Sequence, residues 1–138
     1  MSQSKVTEIK NKMMRKLEVG LTGRTYPIVI GRSPLESALF SELMVGRYKR
    51  AVVVTNDTVA PLYADNVTAR LAEIGITSDE IILPDGEKHK TQATLASIYD
   101  QLIELKADRN TMIIALGGGV VGDVAGFAAA TYQRGLPL

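Results

Sequence analysis

Three consecutive glycines, Gly117, Gly118 and Gly119, follow the apolar, β-branched run Thr111–Leu116 and lead into Val120-Val121-Gly122-Asp123. Gly117, Gly119 and Gly122 together give G-x-G-x-x-G between a strand-like and a helix-like segment, the setting a dinucleotide fingerprint requires. The chemistry this spacing permits is anion binding. Glycine backbone can turn sharply and approach a pyrophosphate closely, and a helix N-terminus presents unpaired N–H groups with a partial positive charge. Gly118, Gly119, Val120, Val121, Gly122 and Asp123 are therefore candidate cofactor-binding residues. The same spacing also suits a tight strand-to-helix turn in any α/β protein. Two features depart from an ordinary dinucleotide fold: the motif comes late, and the acidic residue expected about 20 positions on would fall past Leu138. Asp123 would oppose a bound phosphate unless it faces a ribose, an amide or a cation.

A second set of polar residues lies upstream. Asp85, Gly86, Glu87, Lys88, His89 and Lys90 follow the short run Glu80–Leu83. Such a charge cluster before a helix usually means a solvated face, but a loop at the carboxyl end of a parallel strand is where open α/β sheets bind ligands. There Glu87 could accept from ribose hydroxyls and Lys90 could donate to a cofactor's polar groups. Asn56, at the end of its own strand, suits a helix cap or a contact in the same crevice. Arg134 lies past the glycine-rich helix, where a cation can interact with a helix C-terminus. His89 is the sole histidine and cannot make a catalytic metal site by itself.

The elements that position these residues alternate. Leu17–Leu21 and Tyr26–Ile30 read as an antiparallel hairpin across Thr22-Gly23-Arg24-Thr25. Ser33 as N-cap with Pro34 in the first turn predicts a helix to Met44. Ala51–Thr55 predicts a buried strand. Asn56 and Asp57 open a helix with Val59, Leu62, Tyr63, Val67, Leu71 and Ile74 at helical spacing, ended by Gly75. Strand Glu80–Leu83 runs into the turn Pro84-Asp85-Gly86. Helix Gln92–Lys106 carries an apolar stripe of Leu95, Ile98, Leu102 and Leu105. Strand Thr111–Leu116 and a small-residue helix, Val120–Tyr132, complete the series, and Leu136–Leu138 reads as the start of one more strand. Strand and helix alternating in this way predict an α/β fold, a Rossmann-like parallel sheet with flanking helices, preceded by a β-hairpin. Residues 1–16 read as an N-terminal tail or added segment, and 17–138 as one domain.

Composition narrows the function classes. The chain has 138 residues, near the modal domain size, with 16 basic and 15 acidic residues interspersed. No clustered charge excess points to nucleic acid or a membrane surface. No apolar stretch is long enough to span a bilayer, and residues 1–15 lack a signal-peptide core. With no cysteine there are no disulfides or thiolate ligands. A cytoplasmic location is the expectation.

The wording of the glycine segment, GGGVVGDVAGFAAATYQRG, closely resembles the signature of the 3-dehydroquinate synthase family. ILPDGEKHKT at 82–91 is similar to that family's DGE-x-x-K segment, with His89 where many relatives have Tyr. VVVTNDTVAPLY at 52–63 resembles its first strand–loop–helix unit. The resemblance covers about residues 16–138 and implies a truncated, N-terminal NAD-binding portion, without the family's C-terminal helical metal-binding domain. It implies a lyase of the shikimate pathway that converts 3-deoxy-D-arabino-heptulosonate 7-phosphate to 3-dehydroquinate and phosphate. NAD is used catalytically, oxidising a ring hydroxyl, permitting phosphate elimination and then returning the hydride. The resemblance also implies a divalent metal, zinc or cobalt, held outside this chain. It assigns Asn56, residues 85–90 and residues 118–123 to the nucleotide and Arg134 to the sugar-phosphate substrate. A homodimer is expected, and no catalytic or metal-ligating residue within the chain. Alternatives are another sugar-phosphate cyclase such as 2-deoxy-scyllo-inosose synthase, a metal-dependent alcohol or glycerol-phosphate dehydrogenase, and a non-catalytic nucleotide-binding module.

Overall fold

The structure, a computed structural model, describes residues 5–7 and 14–138, so positions 1–4 and 8–13 of the expected tail lie outside the described residues. The chain divides into two compact units, Met1–Leu43 and Met44–Leu138. The first holds the strands β1 (Lys5–Thr7), β2 (Met14–Leu21) and β3 (Arg24–Gly31), antiparallel in the order β1-β2-β3. Leu17 pairs with Ile28 and Val19 with Tyr26. The hairpin turn is tighter than its sequence suggests: Leu21 pairs with Arg24, leaving Thr22 and Gly23, with Gly23 at φ 79°. Only Gly adopts that conformation without steric cost. The last three residues of the expected tail belong to β2.

The helix expected from Ser33 is broken. Ser33 has φ 49° and makes no side-chain cap, and Pro34–Glu36 form a single 3-10 turn. Ser37 then turns to extended backbone. Its hydroxyl donates to Pro34 O (2.6 Å) and accepts from Phe40 N (3.4 Å), so Ser37 starts the helix α1 (Ala38–Met44). A serine at each end of Pro34-Leu35-Glu36 offers two caps, and the later one is used.

The second unit carries a parallel sheet of β4 (Arg50–Asn56), β5 (Thr77–Leu83) and β6 (Thr111–Ala115) in the order β5-β4-β6. The helices α2 (Ala60–Glu73), α3 (Gln92–Glu104) and α4 (Gly119–Thr131) connect and follow the strands. β4 is buried along six of its seven residues because it lies between two strands and under helices on both faces. Alternate residues Val52 and Val54 join Ile81, Ile98, Leu102, Ile113 and Val124 in one core with α3 and α4. On α2 the buried stripe is Ala64, Val67 and Leu71. Leu62 and Tyr63, expected to face inward, are 66% and 55% exposed. The small Ala64 faces the sheet in their place. Gly75 ends α2 at φ 80°, donating to Ala72 O, as its sequence position predicts.

Two ties fix the amino ends of the strands. Arg50 donates to Asp79 Oδ2 (2.8 Å) and to the carbonyls of Leu105 (2.5 Å) and Lys106 (3.3 Å), joining β4 and β5 to the end of α3. Asp108 accepts from Asn110 N and Thr111 Oγ1, contacts that hold its carboxyl below the usual range. Leu136–Leu138 form no assigned strand, yet Pro137 O accepts from Ile113 N of β6 (2.8 Å) and Leu136 is buried.

Thr55, on β4, is fully buried and its hydroxyl has no hydrogen-bond partner among the described residues. A buried unpaired hydroxyl carries a desolvation cost that a similarly shaped methyl does not. Thr55→Val should therefore raise stability by about 1–2 kcal/mol, read as a higher urea midpoint at unchanged slope. A lower midpoint would mean that the hydroxyl is bonded in solution.

Candidate functional site

Strand order decides where a ligand can enter. β4 lies between β5 and β6, and the chain leaves β5 to cross to the far side of β4. The connection direction therefore reverses between β4 and β6. In open α/β sheets, that reversal opens a crevice outside the carboxyl ends of the strands. Asn56 ends β4, the 85–90 loop follows β5 and the glycine loop follows β6, so the sequence candidates on all three share one end of the sheet.

The first two are knitted together. Asn56 is buried, donates to Asp85 Oδ1 (2.8 Å) and accepts from Val59 N (2.8 Å), which caps the entry to α2. Thr58 donates to Asp85 Oδ2 (3.0 Å), and Asp57 Oδ1 accepts from Asp85 N (3.1 Å). Both oxygens of Asp85 are thus used to hold the loop. Gly86 has φ 113°, a left-handed value that favours glycine. The turn Glu87–His89 follows, and Thr91 caps α3 by accepting from Thr94 N (3.2 Å). This leaves the Glu87 side chain 76% exposed. The sequence singles out Asp57 only as an opening residue of α2, and Thr58 not at all. Their signal is position: a polar Asn-Asp-Thr run at the end of one parallel strand must face the polar loop ending its neighbour.

The glycine loop divides by role. A Cβ at Gly117 would lie 2.8 Å from Val121 Cγ2, whereas a Cβ at Gly118, Gly119 or Gly122 would meet nothing within 4 Å. None of these four glycines has a positive φ. Internal packing therefore requires glycine only at Gly117. In the dinucleotide fingerprint the third glycine serves helix–strand packing; here the first does, and Gly122 faces open space. Gly118 is the N-cap of α4, and the first hydrogen bond there runs from Gly122 N to Gly118 O (3.0 Å). The N–H groups of Gly119, Val120 and Val121 precede it and have no intrahelical acceptor. Val121's side chain is buried, so only its backbone can serve a ligand.

Asp123 faces a cation. Its Oδ2 stands 2.6 Å from Lys90 Nζ, and Glu87 Oε1 is 3.8 Å from the same nitrogen. The hydrogen bond to Asp123, then the charges of Asp123 and Glu87, raise the Lys90 pKa above the ordinary lysine value. Beside this pair lies a cavity of about 330 Å³ between α3 and α4, lined by Lys90, Thr91, Gln92, Leu95, Asp123, Val124 and Phe127.

Arg134 is not brought to this crevice. Tyr132 and Gln133 both donate to Ala107 O, which places the end of α4 at the amino ends of the strands. The 13 residues of α4 separate Arg134 from the glycine loop by about 20 Å at ~1.5 Å per residue. Gln133, Arg134 and Gly135 all have positive φ. Among the described residues no group of three or more His, Cys, Asp or Glu side chains could hold a metal ion, and no helix is long and apolar enough to cross a membrane.

Comparison with known proteins agrees with the sequence resemblance. Residues 80–138 match the family described as 3-dehydroquinate synthase N-terminal. The chain is 50% identical over 125 residues to 3-dehydroquinate synthases of Neisseria meningitidis serogroup C and Neisseria gonorrhoeae. The match takes in 91% of this chain and 34% of each relative, so the chain spans about a third of the length of these curated relatives. Among solved structures, 2-deoxy-scyllo-inosose synthase complexed with carbaglucose-6-phosphate, NAD+ and Co2+ shares the fold, with a TM-score of 0.77 and 24% identity over 88% of this chain and 33% of that one. A 2-epi-5-epi-valiolone synthase from Streptomyces hygroscopicus with NAD+ and Zn2+ bound gives 0.68 and 26% over 86% and 32%.

Proposed function

We propose that this chain is the N-terminal, nucleotide-binding portion of a 3-dehydroquinate synthase and binds NAD in the crevice between the 85–90 and glycine loops. The observation that carries this reading is the bare backbone at Gly118, Gly119 and Gly122. These positions have neither the packing nor the dihedral need that usually explains glycine, and they border the first N–H groups of α4. The open space over them fits a pyrophosphate at a helix N-terminus. Those N–H groups would donate to the phosphate oxygens. Exposed Glu87 would accept from a ribose, and Lys90 would lie against a phosphate or ribose oxygen. Asn56 and Asp85 would shape the adenosine side of the crevice chiefly by bracing its loop.

NAD, when bound, would supply reversible hydride exchange with the carbon that bears a ring hydroxyl of a sugar phosphate, accepting hydride first and returning it later. The described residues do not fit a metal site. Identity of 50% to the dehydroquinate synthases against 24–26% to the other cyclases favours the dehydroquinate activity for the parent enzyme. Arg134 as a substrate residue would require a second surface at the amino ends of the strands.

Calorimetric titration tests the nucleotide reading. Weak, saturable binding of NAD to the purified chain is expected, and an absence of heat at millimolar NAD would sink it. The same chain, given the heptulosonate phosphate, NAD and zinc, should release no phosphate. Sustained release would show that this chain holds a metal and substrate site of its own.

A further inference from the structure

We propose that the outer edge of β5, with the groove it shares with α2, is a docking site for an extended segment of a partner protein that carries a basic residue between two apolar ones on one face. β5 ends the order β5-β4-β6, and among the described residues no strand pairs with its outer side. Thr77 N donates to Lys49 O and Leu83 O accepts from Asp57 N, so these residues turn their backbone groups toward β4. Alternation along the strand then turns the N–H and C=O groups of Ser78, Glu80 and Ile82 outward. The edge runs for seven residues without proline. It can therefore accept a further strand along its whole length, the mode by which extended peptides add to a sheet.

Side chains select the occupant. Ile81 and Leu83 belong to the core under α3 and α4, so Ser78, Glu80 and Ile82 lie on the opposite face, beside α2. A groove of about 650 Å³ lies there between α2 and the start of β5, lined by the small Ala69 and Ala72 and by Asp65, Thr68, Thr77 and Ser78 among others. At the other end of the strand Ile82 is 51% exposed. Small-residue space and an apolar side chain thus flank the carboxylate of Glu80. Among the described residues neither Glu80 nor Asp65 makes an ion pair, whereas Arg70 of α2 pairs with Glu73. Opposite charges directly across two strands attract, and like charges repel. A second copy of this chain fits poorly for that reason, because an antiparallel pairing of two whole β5 edges is centred on Glu80 and sets it opposite itself. A lysine or arginine in that place, with apolar residues two positions to either side, meets Glu80, Ile82 and the groove together.

Two synthetic peptides are the probes, acetyl-TVTKTVT-amide and acetyl-TVTETVT-amide, which present the same face in either strand direction. Each is titrated at low salt into the full chain as wild type, Glu80→Lys and Ile82→Ser, followed by NMR. Both positions are exposed, so the variants should keep the wild-type resonances of β4. The lysine peptide should shift the amides of Ser78, Glu80 and Ile82, slow their hydrogen exchange, and bind about 5-fold or more tightly than the glutamate peptide. Glu80→Lys should reverse that order, and Ile82→Ser should weaken both peptides. No shift at the three amides, equal affinity for the two peptides, or an unchanged order in Glu80→Lys overturns the proposal. Exchange already slow at these amides in the free chain overturns it as well: a second copy holds the edge if sedimentation shows a dimer, and another part of this chain if it shows a monomer. Neither the probes nor the readout involve the nucleotide crevice.

Discussion

Replacing Gly119 by valine should leave the chain folded and lower its affinity for NAD by about 100-fold or more. Gly119 is the first residue of α4, and a Cβ there meets nothing within 4 Å. Its φ is not positive, so a valine enters without backbone strain, and the folded state loses no contact. What the valine does occupy is the space over the N–H groups of the first helical turn. If a pyrophosphate binds there, the side chain displaces it from two or more donors. Each hydrogen bond to a charged group contributes about 1.5–3 kcal/mol. Losing two of them costs about 3–6 kcal/mol, which at 1.4 kcal/mol per decade is 100-fold or more. Urea unfolding and calorimetry on the same sample separate the two effects. A folded Gly119→Val chain that binds NAD as well as wild type would place the pyrophosphate elsewhere.

The sheet and its ligand edge were legible in the sequence because each rests on a local rule. Alternation of apolar runs with amphipathic segments specifies strand and helix. Three loops ending three parallel strands then fall on one side whatever the strand order. The order β5-β4-β6 itself was not legible, since it depends on which neighbour a strand pairs with, a long-range choice. The inward face of α2 was misjudged for a related reason. Leu62 and Tyr63 have the right spacing, but Ala64 lies against the sheet and turns them outward. At the site, residue types told what chemistry was available without telling which groups were already committed. The sequence leaves Asn56 between a helix cap and a crevice contact, places Asp85 in a turn and a candidate binding loop, and asks that Asp123 face a ribose, an amide or a cation without saying which. Asn56 and Asp85 bond to each other and to the residues around them, and Asp123 bonds to Lys90. Such pairings join residues about 30 apart in the chain, beyond the reach of any local pattern.

Gly117→Ala should do the reverse of Gly119→Val, destabilising the fold by about 1–3 kcal/mol. The glycine spacing makes the two positions look alike, but the structure separates them. A Cβ at Gly117 falls 2.8 Å from Val121 Cγ2 and 2.9 Å from Val121 Cβ, closer than carbon atoms can approach. Val121 cannot easily yield, because it is 2% exposed and belongs to the core beneath α4. The strain must therefore pass to α4 as a whole, shifting its first turn from β6. Trimming the obstacle tests this cause. Val121→Ala alone should cost about 2 kcal/mol for the lost methyl groups and the space they leave. Combined with it, Gly117→Ala should cost less than it does alone, because the 2.8 Å contact with Cγ2 is gone and the 2.9 Å contact with the retained Cβ is left to be relieved by a small shift of the first turn into the vacated space. Urea unfolding of both single variants and the double variant gives the coupling, expected at about 1 kcal/mol or more in favour of the double. Strict additivity would mean that Gly117 is required for some reason other than its contact with the Val121 γ-methyl groups.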